Sequence, residues 1–371
     1  MMAVKVKSRE ILQMVTAYPL GKSVYDLQKE MGLPSIINLS EIENVFGCSA
    51  QVKNHLTHQL DHLFTYPDGS ARLLTTKLAE FLNVKSDQLF IGNGSDEIIR
   101  LLLRAFLNAG DEAVMAEITF PRYKTNVTIE GGRPVLVPLI DGTHDLDRML
   151  ASITEKTKLI FVCNPNNPTG TIVEKKKLEH FIAKVPEHIL IVLDEAYYEY
   201  ATSEEYLQSV TYLKKYSNLV ILRTFSKVYG LAGLRIGYGM MDPYIASELN
   251  KVKEVFNVNQ LAQAAAIVAL EDQKFRLECV ERNEEGKHLL ESELTKMGYP
   301  FFHTQANFMM IHTGQPGDIV CRELLKHGLL VKSGAALGYP NAIRVTISSM
   351  QDNHYFIKCL KNIEKRNGGV S

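Results

Sequence analysis

The sequence predicts an α/β fold built on one large, mostly parallel β-sheet. From about residue 88, short apolar runs recur, and longer stretches with a helical polar–apolar pattern separate most of them. Runs of about four to six apolar residues separated in this way are typical of parallel strands covered by helices on both faces. A hydrophobic content of 46% and a charged content of 22% are ordinary for a globular protein of this kind.

Seven apolar runs are the candidate strands of this sheet. In chain order they are QLFIG, EAVMA, PVLVPL, KLIFVC, HILIVLDE, NLVILRTF and RIGYGM. Helical patterns such as DEIIRLLLRAFLNAG and KKKLEHFIAKV lie between them. We therefore expect a seven-stranded sheet inside a large domain that spans residues 48–250.

The remainder of the chain is predicted to form a smaller α+β domain. The segment from about Pro243 to Leu294 has a helical pattern, and NFMMIH, LLVK and AIRVTIS after it resemble strands. The first 45 or so residues have too few apolar positions for a core of their own. We expect residues 1–47 and 251–371 to form this domain together with an N-terminal arm.

Charge and cysteine content exclude several classes of function. A formal net charge of -1 argues against nucleic-acid binding and against binding to an anionic membrane surface. No apolar run approaches the ~20 residues of a membrane span, and the basic start MMAVKVKSREILQ lacks the apolar core of a secretory signal. The five cysteines are scattered without a C-x-x-C pair, which is typical of reduced thiols. A cytoplasmic protein is expected.

Polar residues follow the predicted strands at the points where ligands usually bind. In an open α/β sheet, ligands lie beyond the carboxyl ends of the strands. NPNNPTG follows KLIFVC, DEAYYEY follows ILIVL, SK follows LVILRTF, and NGSDE opens a helix after QLFIG. Taken alone, each segment fits an ordinary turn or helix cap, and no dinucleotide or P-loop fingerprint is present. Together they predict one crevice with an amide, a carboxylate, a phenol and a lysine.

Lys227 is the residue of this set that most needs a chemical explanation. The segment RTFSKVYGLAGLRIGYG places Lys227 and Arg235 among small and apolar residues. Burying an ammonium group is costly unless it is paired or used chemically. Pyridoxal phosphate offers an aldehyde for a lysine, a ring nitrogen for an anion, a 3'-oxygen for donors, and a phosphate. The joint pattern therefore predicts a pyridoxal-phosphate site.

The expected cofactor contacts follow from this chemistry. Asp194 is expected at the ring nitrogen, and Asn167 and Tyr197 are expected to donate to the 3'-oxygen. The phosphate is expected to meet the Arg235 guanidinium, two hydroxyls and the N–H groups of a helix start. In chain order, the residues predicted to hold the cofactor are Ser95, Asp96, Phe120, Asn167, Asp194, Tyr197, Thr224, Ser226, Lys227 and Arg235.

The chain resembles the fold-type I pyridoxal-phosphate-dependent aminotransferases, and within them it is most similar to the histidinol-phosphate aminotransferase family. The motifs that carry the resemblance are YPDG, NPNNPTG, LDEAYYEY, RTFSKVYGLAGLRIGY and GAALGYPNAIRVTI. They extend over about residues 18–347, almost the whole chain. The resemblance implies the fold-type I fold and ping-pong transamination between histidinol phosphate and 2-oxoglutarate in histidine biosynthesis.

The resemblance also implies roles for individual residues. Lys227 would be the Schiff-base lysine and proton shuttle, with Asp194 and Tyr197 as its catalytic partners. Tyr66 would reach the cofactor phosphate of a neighbouring subunit, which implies a homodimer with shared active sites. Arg344 would bind the anionic group of substrates. Three further substrate contacts are expected, at Phe46, Tyr123 and Lys332, and the Asn167–Pro168 bond is expected to be cis.

Two departures from the family pattern leave the amino donor open. The usual S-N-E-N-P-[YFL]-G segment is SEIENVFG here, so that Ile42 and Val45 replace asparagine and proline. Lys332 stands where the family usually has an arginine that helps to hold the substrate phosphate, and lysine lacks the bidentate fork. Phenylalanine or tyrosine as donor is the main alternative, and an amino-acid-phosphate decarboxylase is a more distant one.

A histidine pattern elsewhere in the chain has a simpler explanation than a metal site. His55, His58 and His62 fall on one face of a predicted helix. Such a face can bind a metal ion, but a solvated or dimer-adjacent helix that leads into YPDG explains the pattern better. We expect no metal site.

Overall fold

The structure is a computed structural model that describes residues 6–17 and 21–368. Its strands are β1 (Ile37–Asn38), β2 (Leu89–Gly92), β3 (Glu112–Ala116), β4 (Arg133–Val137), β5 (Leu139–Ile140), β6 (Thr143–His144), β7 (Thr157–Cys163), β8 (Leu190–Asp194), β9 (Leu219–Thr224), β10 (Gly237–Met240), β11 (Phe308–His312), β12 (Leu329–Leu330), β13 (Lys332–Ser333) and β14 (Ala342–Thr346). Each of the seven predicted runs matches one strand of the large sheet, although β4 and β7 begin one residue earlier than predicted, so the predicted α/β fold is confirmed.

The α-helices of the described residues alternate with these strands. They are α1 (Val24–Met31), α2 (Ala50–Gln59), α3 (Arg72–Leu82), α4 (Ser95–Phe106), α5 (Arg122–Ile129), α6 (Leu146–Ala151), α7 (Lys175–Lys184), α8 (Pro243–Val252), α9 (Gln260–Glu271), α10 (Gln273–Lys296), α11 (Gly317–Lys326) and α12 (Met350–Gly368). Local signals set several of their starts. Asp242 caps α8, because its side chain accepts a hydrogen bond from the Tyr244 N–H and Pro243 takes the first helical position.

The large sheet has the strand order β2-β10-β9-β8-β7-β3-β4. Strand β10 is antiparallel to both of its neighbours, whereas β9, β8, β7, β3 and β4 pair in parallel. The carboxyl ends of β7, β8 and β9 therefore lie side by side at one edge of the sheet. The loops that follow these three strands must meet there.

Helices cover both faces of the large sheet, which explains why its strands are almost wholly apolar. In β7, Ile160 and Val162 belong to a buried cluster with residues of α3, α7 and α9. Leu159 and Phe161 belong to a second cluster with residues of α4, α5 and α8. Successive side chains of a strand point to opposite faces. Burying each such side chain contributes about 1.5–3 kcal/mol.

A second group of strands lies towards the C-terminus. Strands β11, β14 and β13 form an antiparallel sheet, and the short β1 pairs in parallel with β12. Leu39, just after β1, packs with Leu290 and Leu294 of α10. The N-terminal arm is thus held by C-terminal residues. The exact domain boundaries remain a prediction.

None of the helices in the described part of the chain combines the length and the apolar character needed to cross a membrane.

Candidate functional site

A cavity of about 410 Å³ lies at the carboxyl edge of the large sheet. It is enclosed by the loops after β2, β3, β7, β8 and β9, by the N-terminal arm and by β14. The predicted cofactor contacts other than Tyr66 all border it: Ser95, Asp96, Phe120, Asn167, Asp194, Tyr197, Thr224, Ser226, Lys227 and Arg235. Arg344 of β14 also lines the cavity.

Asp194 provides the buried carboxylate of the cavity. It is the last residue of β8 and is 4% exposed. Its Oδ2 accepts a hydrogen bond of 2.6 Å from the Tyr123 hydroxyl, and its Oδ1 accepts one of 3.2 Å from the Ala196 N–H. Burial raises the pKa of Asp194 to about 6, although the Tyr123 hydrogen bond opposes the shift. A cationic ring nitrogen in front of it would favour the ionised form.

Lys227 provides the amine of the cavity. Its Nζ donates to the Ile42 carbonyl at 3.2 Å and lies 5.4 Å from the centre of the Tyr197 ring. Burial, with the nearby Arg344 cation, lowers the pKa of Lys227 to about 8. Above that pH the amine is mostly neutral, so Lys227 can act as a nucleophile or a base at a pH where an ordinary lysine stays charged.

The opposite end of the cavity is suited to an anion. Ser95 begins α4, and the Arg235 guanidinium lies beside it, with Nη1 3.5 Å from Ser226 Oγ. A Cβ on Gly94 would lie 2.7 Å from Arg235 Nη2, and one on Gly237 would lie 2.6 Å from the Ser95 nitrogen. The absence of a side chain at Gly94 and Gly237 therefore allows the Arg235 guanidinium and the β10 backbone to approach the start of α4 this closely. A helix start and a guanidinium are the usual partners of a phosphate.

A hydrogen-bonded chain joins the middle of the cavity to β14. Asn167 Nδ2 donates to the Tyr197 hydroxyl at 3.3 Å, and Arg344 Nη1 donates to Asn167 Oδ1 at 2.7 Å. Arg344 Nη2 donates to the Ser40 carbonyl of the N-terminal arm at 3.0 Å. The Asn167–Pro168 bond is cis, as expected. This chain places an amide, a phenol and a guanidinium along one wall.

These residues fit the cofactor that the sequence predicts. A buried carboxylate, an amine, an amide with a phenol, and an anion pocket correspond to the ring nitrogen, aldehyde, 3'-oxygen and phosphate of pyridoxal phosphate. The glycines at 94 and 237 let the Arg235 guanidinium and the start of α4 come together at the phosphate end, and Phe120 supplies an aromatic ring in the wall.

The four remaining predicted contacts lie outside the cavity wall. Tyr123, expected on the substrate side, is fully buried with its hydroxyl on Asp194, so it faces the ring-nitrogen end instead. The ring of Phe46 packs under the Arg282 guanidinium. Lys332 Nζ lies 3.5 Å from Glu41 Oε1. Tyr66 is 81% exposed and stacks on Phe256 with ring centres 4.7 Å apart.

Three residues of the arm that we did not predict as site residues line the cavity, namely Glu41, Ile42 and Glu43. Ile42 is 2% exposed and has a φ of 59°, a left-handed conformation that is rare for a β-branched residue. The Thr346 hydroxyl accepts its N–H at 3.1 Å, which helps to hold it there. One signal in the sequence could have indicated this conformation. The family pattern has asparagine at this position, and asparagine tolerates the left-handed conformation.

A buried ion pair supports the strand that carries Asp194. Arg223 of β9 and Glu195 are 4% and 2% exposed in their side chains and are joined by contacts of 2.8 and 2.9 Å. The Tyr198 ring lies 3.5 Å from the Arg223 Cζ. Such a pair is strongly destabilising to break, because either charge left alone would be buried. It fixes the end of β8 relative to β9.

Comparison with known proteins identifies relatives of the whole chain. Residues 34–360 match the family model described as aminotransferase class I and II. A histidinol-phosphate aminotransferase from Geobacillus sp. (strain WCH70) is 48% identical over 348 residues, covering 94% of this chain and 95% of the relative. Another from Brevibacillus brevis is 47% identical over 346 residues, covering 93% of this chain and 95% of the relative.

Solved structures agree with this match. A histidinol-phosphate aminotransferase from Sinorhizobium meliloti, in complex with pyridoxal-5'-phosphate, superimposes with a TM-score of 0.88 at 25% identity. The match covers 98% of this chain and 100% of that one. An aspartate aminotransferase from Thermus thermophilus, with maleate, has a TM-score of 0.83 at 20% identity, covers 97% of this chain and 100% of its own, and shares the fold.

Proposed function

The chain belongs to the class I and II aminotransferases, and from this premise we propose that it transfers an amino group from histidinol phosphate to 2-oxoglutarate with pyridoxal 5'-phosphate as cofactor. The observation that carries the proposal is the placement of Lys227 in a cavity with Asp194 and an anion pocket. Curated relatives at 42–48% identity, named histidinol-phosphate aminotransferases, support the choice of substrate.

Bound pyridoxal phosphate supplies an electron sink for the negative charge that develops at the substrate α-carbon. The Asp194 carboxylate keeps the ring nitrogen protonated, which maintains that sink. Tyr123 holds Asp194 through its hydroxyl. Ser95, Ser226 and Arg235 would bind the phosphate, and Phe120 would contribute an aromatic side chain to the wall of the site.

Lys227 is proposed to be the proton carrier of the reaction. Its Nζ would accept the α-proton of the amino donor as a general base and would later give a proton back as a general acid. The lowered pKa of Lys227, about 8, keeps a useful fraction of the amine neutral at neutral pH. Asn167 and Tyr197 hold the 3'-oxygen, and Arg344 receives an anionic group of the substrate.

Lys332 is proposed to bind the phosphate of histidinol phosphate. It lies directly opposite Arg344 in the β13–β14 register, and side chains at such positions share a face of the sheet. Lysine binds phosphate as a point charge without the fork of arginine. Lys332 therefore supplies a positive charge for the substrate phosphate, but it cannot form the two parallel hydrogen bonds that an arginine would form.

A half-reaction titration tests the choice of substrate. Purified cofactor-loaded enzyme is mixed separately with histidinol phosphate, phenylalanine, tyrosine or glutamate, and conversion of the cofactor to pyridoxamine phosphate is followed by absorbance. We expect histidinol phosphate to convert it much faster than either aromatic amino acid. Faster conversion by phenylalanine or tyrosine would identify an aromatic aminotransferase instead. Carbon dioxide release without a keto product would identify a decarboxylase.

We also propose a homodimer in which Tyr66 completes the site of the partner. Four large apolar side chains are exposed within a few residues of one another, at Leu60, Leu63, Phe64 and Tyr66, and Phe64 is 86% exposed. Exposed apolar surface concentrated in this way marks an interaction surface. All five cysteines are free, which fits the cytoplasmic location that we propose with it.

Mixing two inactive variants tests whether sites are shared. We expect Lys227→Ala and Tyr66→Ala to be weak alone, and their mixture, after subunit exchange, to regain about a quarter of the wild-type activity. About half of the reassociated dimers would then be mixed, each with one complete site. A mixture of Lys227→Ala with Asp194→Asn is the control. It should regain no activity, because Lys227 and Asp194 both serve the site of their own subunit, so each site of a mixed dimer would lack one of them. Equal results for the two mixtures would contradict the sharing of Tyr66.

A further inference from the structure

A salt bridge at the rim of the cavity joins the N-terminal arm to β13. Lys332 Nζ lies 3.5 Å from Glu41 Oε1, and the two side chains are 17% and 49% exposed. At this length and exposure the pair is weak, because water screens it and both side chains are flexible. Another anion can therefore replace the carboxylate at modest cost.

The salt bridge lies where a substrate anion would bind. Glu41 lines the cavity together with Arg344. Lys332 lies opposite Arg344 across β13 and β14, so both cations are on the same face of this sheet. Arg344 also donates a hydrogen bond to the Ser40 carbonyl. This bond holds the part of the N-terminal arm that carries Glu41. Glu41 and Arg344 thus line the cavity, and Lys332 adjoins it through its contact with Glu41.

We propose that Glu41 is a specificity-determining residue that neutralises Lys332 when the bound substrate has no phosphate and is displaced when the substrate has one. This inference rests on the proposed function, because that function brings a phosphate to Lys332. A phosphate group carries about -1.5 to -2 charges at pH 7, so it competes well with a single carboxylate. An uncharged aromatic side chain would leave the salt bridge intact.

The charge of Glu41 acts in opposite directions on the two kinds of substrate. For a phosphate-bearing donor, the carboxylate is a like charge that must move away from Lys332 before the phosphate binds. For phenylalanine or tyrosine, the carboxylate offsets the positive charge of Lys332 beside an apolar group. Removing the charge should therefore tighten the binding of phosphates and weaken the binding of aromatic donors.

Inorganic phosphate is the probe for the first effect. The holoenzyme of Glu41→Gln is compared with wild type for inhibition by inorganic phosphate of the half-reaction with glutamate. We expect the inhibition constant to fall about two- to fivefold, in keeping with an exposed ion pair, and the difference to shrink at high salt. Glu30→Gln, which changes an exposed acid paired with Lys22, is the matched control and should change nothing. An unchanged or higher inhibition constant for Glu41→Gln would overturn the proposal.

A double-mutant cycle ties the effect to Lys332. In a Lys332→Met background, Glu41→Gln should alter inhibition by phosphate much less, because the cation that Glu41 contacts and for which the two anions compete is absent. Persistence of the full effect there would overturn the proposal. Glu41→Asp keeps the charge, but its shorter side chain moves that charge away from Lys332. Its inhibition constant for phosphate should lie between those of wild type and Glu41→Gln, so this variant provides the test if Glu41→Gln folds poorly.

A comparison of two substrates separates this inference from the proposed function. The ratio of kcat/KM for histidinol phosphate to that for phenylalanine should rise in Glu41→Gln. If wild-type enzyme does not use histidinol phosphate, the proposed function fails, whereas the change in inhibition by inorganic phosphate still supports the role of Glu41. If histidinol phosphate is the substrate and neither the ratio nor the inhibition changes, the inference fails alone.

Discussion

Replacing Lys227 by alanine is expected to abolish turnover while the protein still binds pyridoxal phosphate noncovalently. The variant loses the amine that we propose to attach to the cofactor and to carry the α-proton, so the rate should fall by on the order of 10⁴-fold. The anion pocket at Ser95 and Arg235, the carboxylate of Asp194 and the ring of Phe120 remain in place. Cofactor binding should therefore weaken without being lost.

Two measurements check this result. Dialysis and absorbance report whether the cofactor is held and whether it is attached, and steady-state assays report turnover. Lys215→Ala removes a lysine that lies against Tyr216, outside the cavity, and is the matched control with full activity. Lys227→Arg restores a cation without a usable amine and should stay inactive. Substantial steady-state activity in Lys227→Ala would refute the role that we give to this residue.

Replacing Asp194 by asparagine is expected to remove most of the rate while the fold stays intact. The amide occupies the same space at the end of β8 but cannot hold a proton on the ring nitrogen as an anion does. The loss of one preorganised electrostatic contact in a buried site costs on the order of 100-fold or more in kcat. Since Asp194 is 4% exposed, water cannot replace the missing charge.

Tyr123→Phe is the graded control for this experiment. It removes the 2.6 Å hydrogen bond to Asp194 Oδ2 but leaves the carboxylate, so its effect should stay within about tenfold. Thermal unfolding of the three proteins shows whether either change disturbs the fold. Near-normal turnover of Asp194→Asn, with cofactor bound, would contradict the assignment of this carboxylate to the ring nitrogen.

Much of the large sheet could be predicted from the sequence because the signal for it is local. Each candidate run, such as KLIFVC, is long enough for one strand and lies between turn residues, and burial on both faces requires that it be almost wholly apolar. The convergence of Asn167, Asp194 and Lys227 could also be predicted. It requires only that the strands before these residues be parallel neighbours, as β7, β8 and β9 are.

Other features of the site could not be predicted because tertiary contacts determine them. The left-handed conformation of Ile42 depends on Thr346 and on the amine of Lys227, both distant in sequence. The salt bridge of Glu41 depends on the pairing of β1 with β12, two strands of two residues each that leave almost no periodic signal. Strand β10 pairs with β2 and β9, and the local sequence does not specify which strands it pairs with.

The hydrogen bond from Arg344 to Ser40 spans 304 positions of the chain, and this separation has a consequence for how the protein is made. The seven strands of the large sheet are complete once residue 240 has left the ribosome. Translation adds residues more slowly than most domains fold. The part of the cavity that we propose to bind the cofactor is thus complete first. The part that we propose to contact the substrate, built from the arm and β14, is complete only after the last part of the chain has emerged.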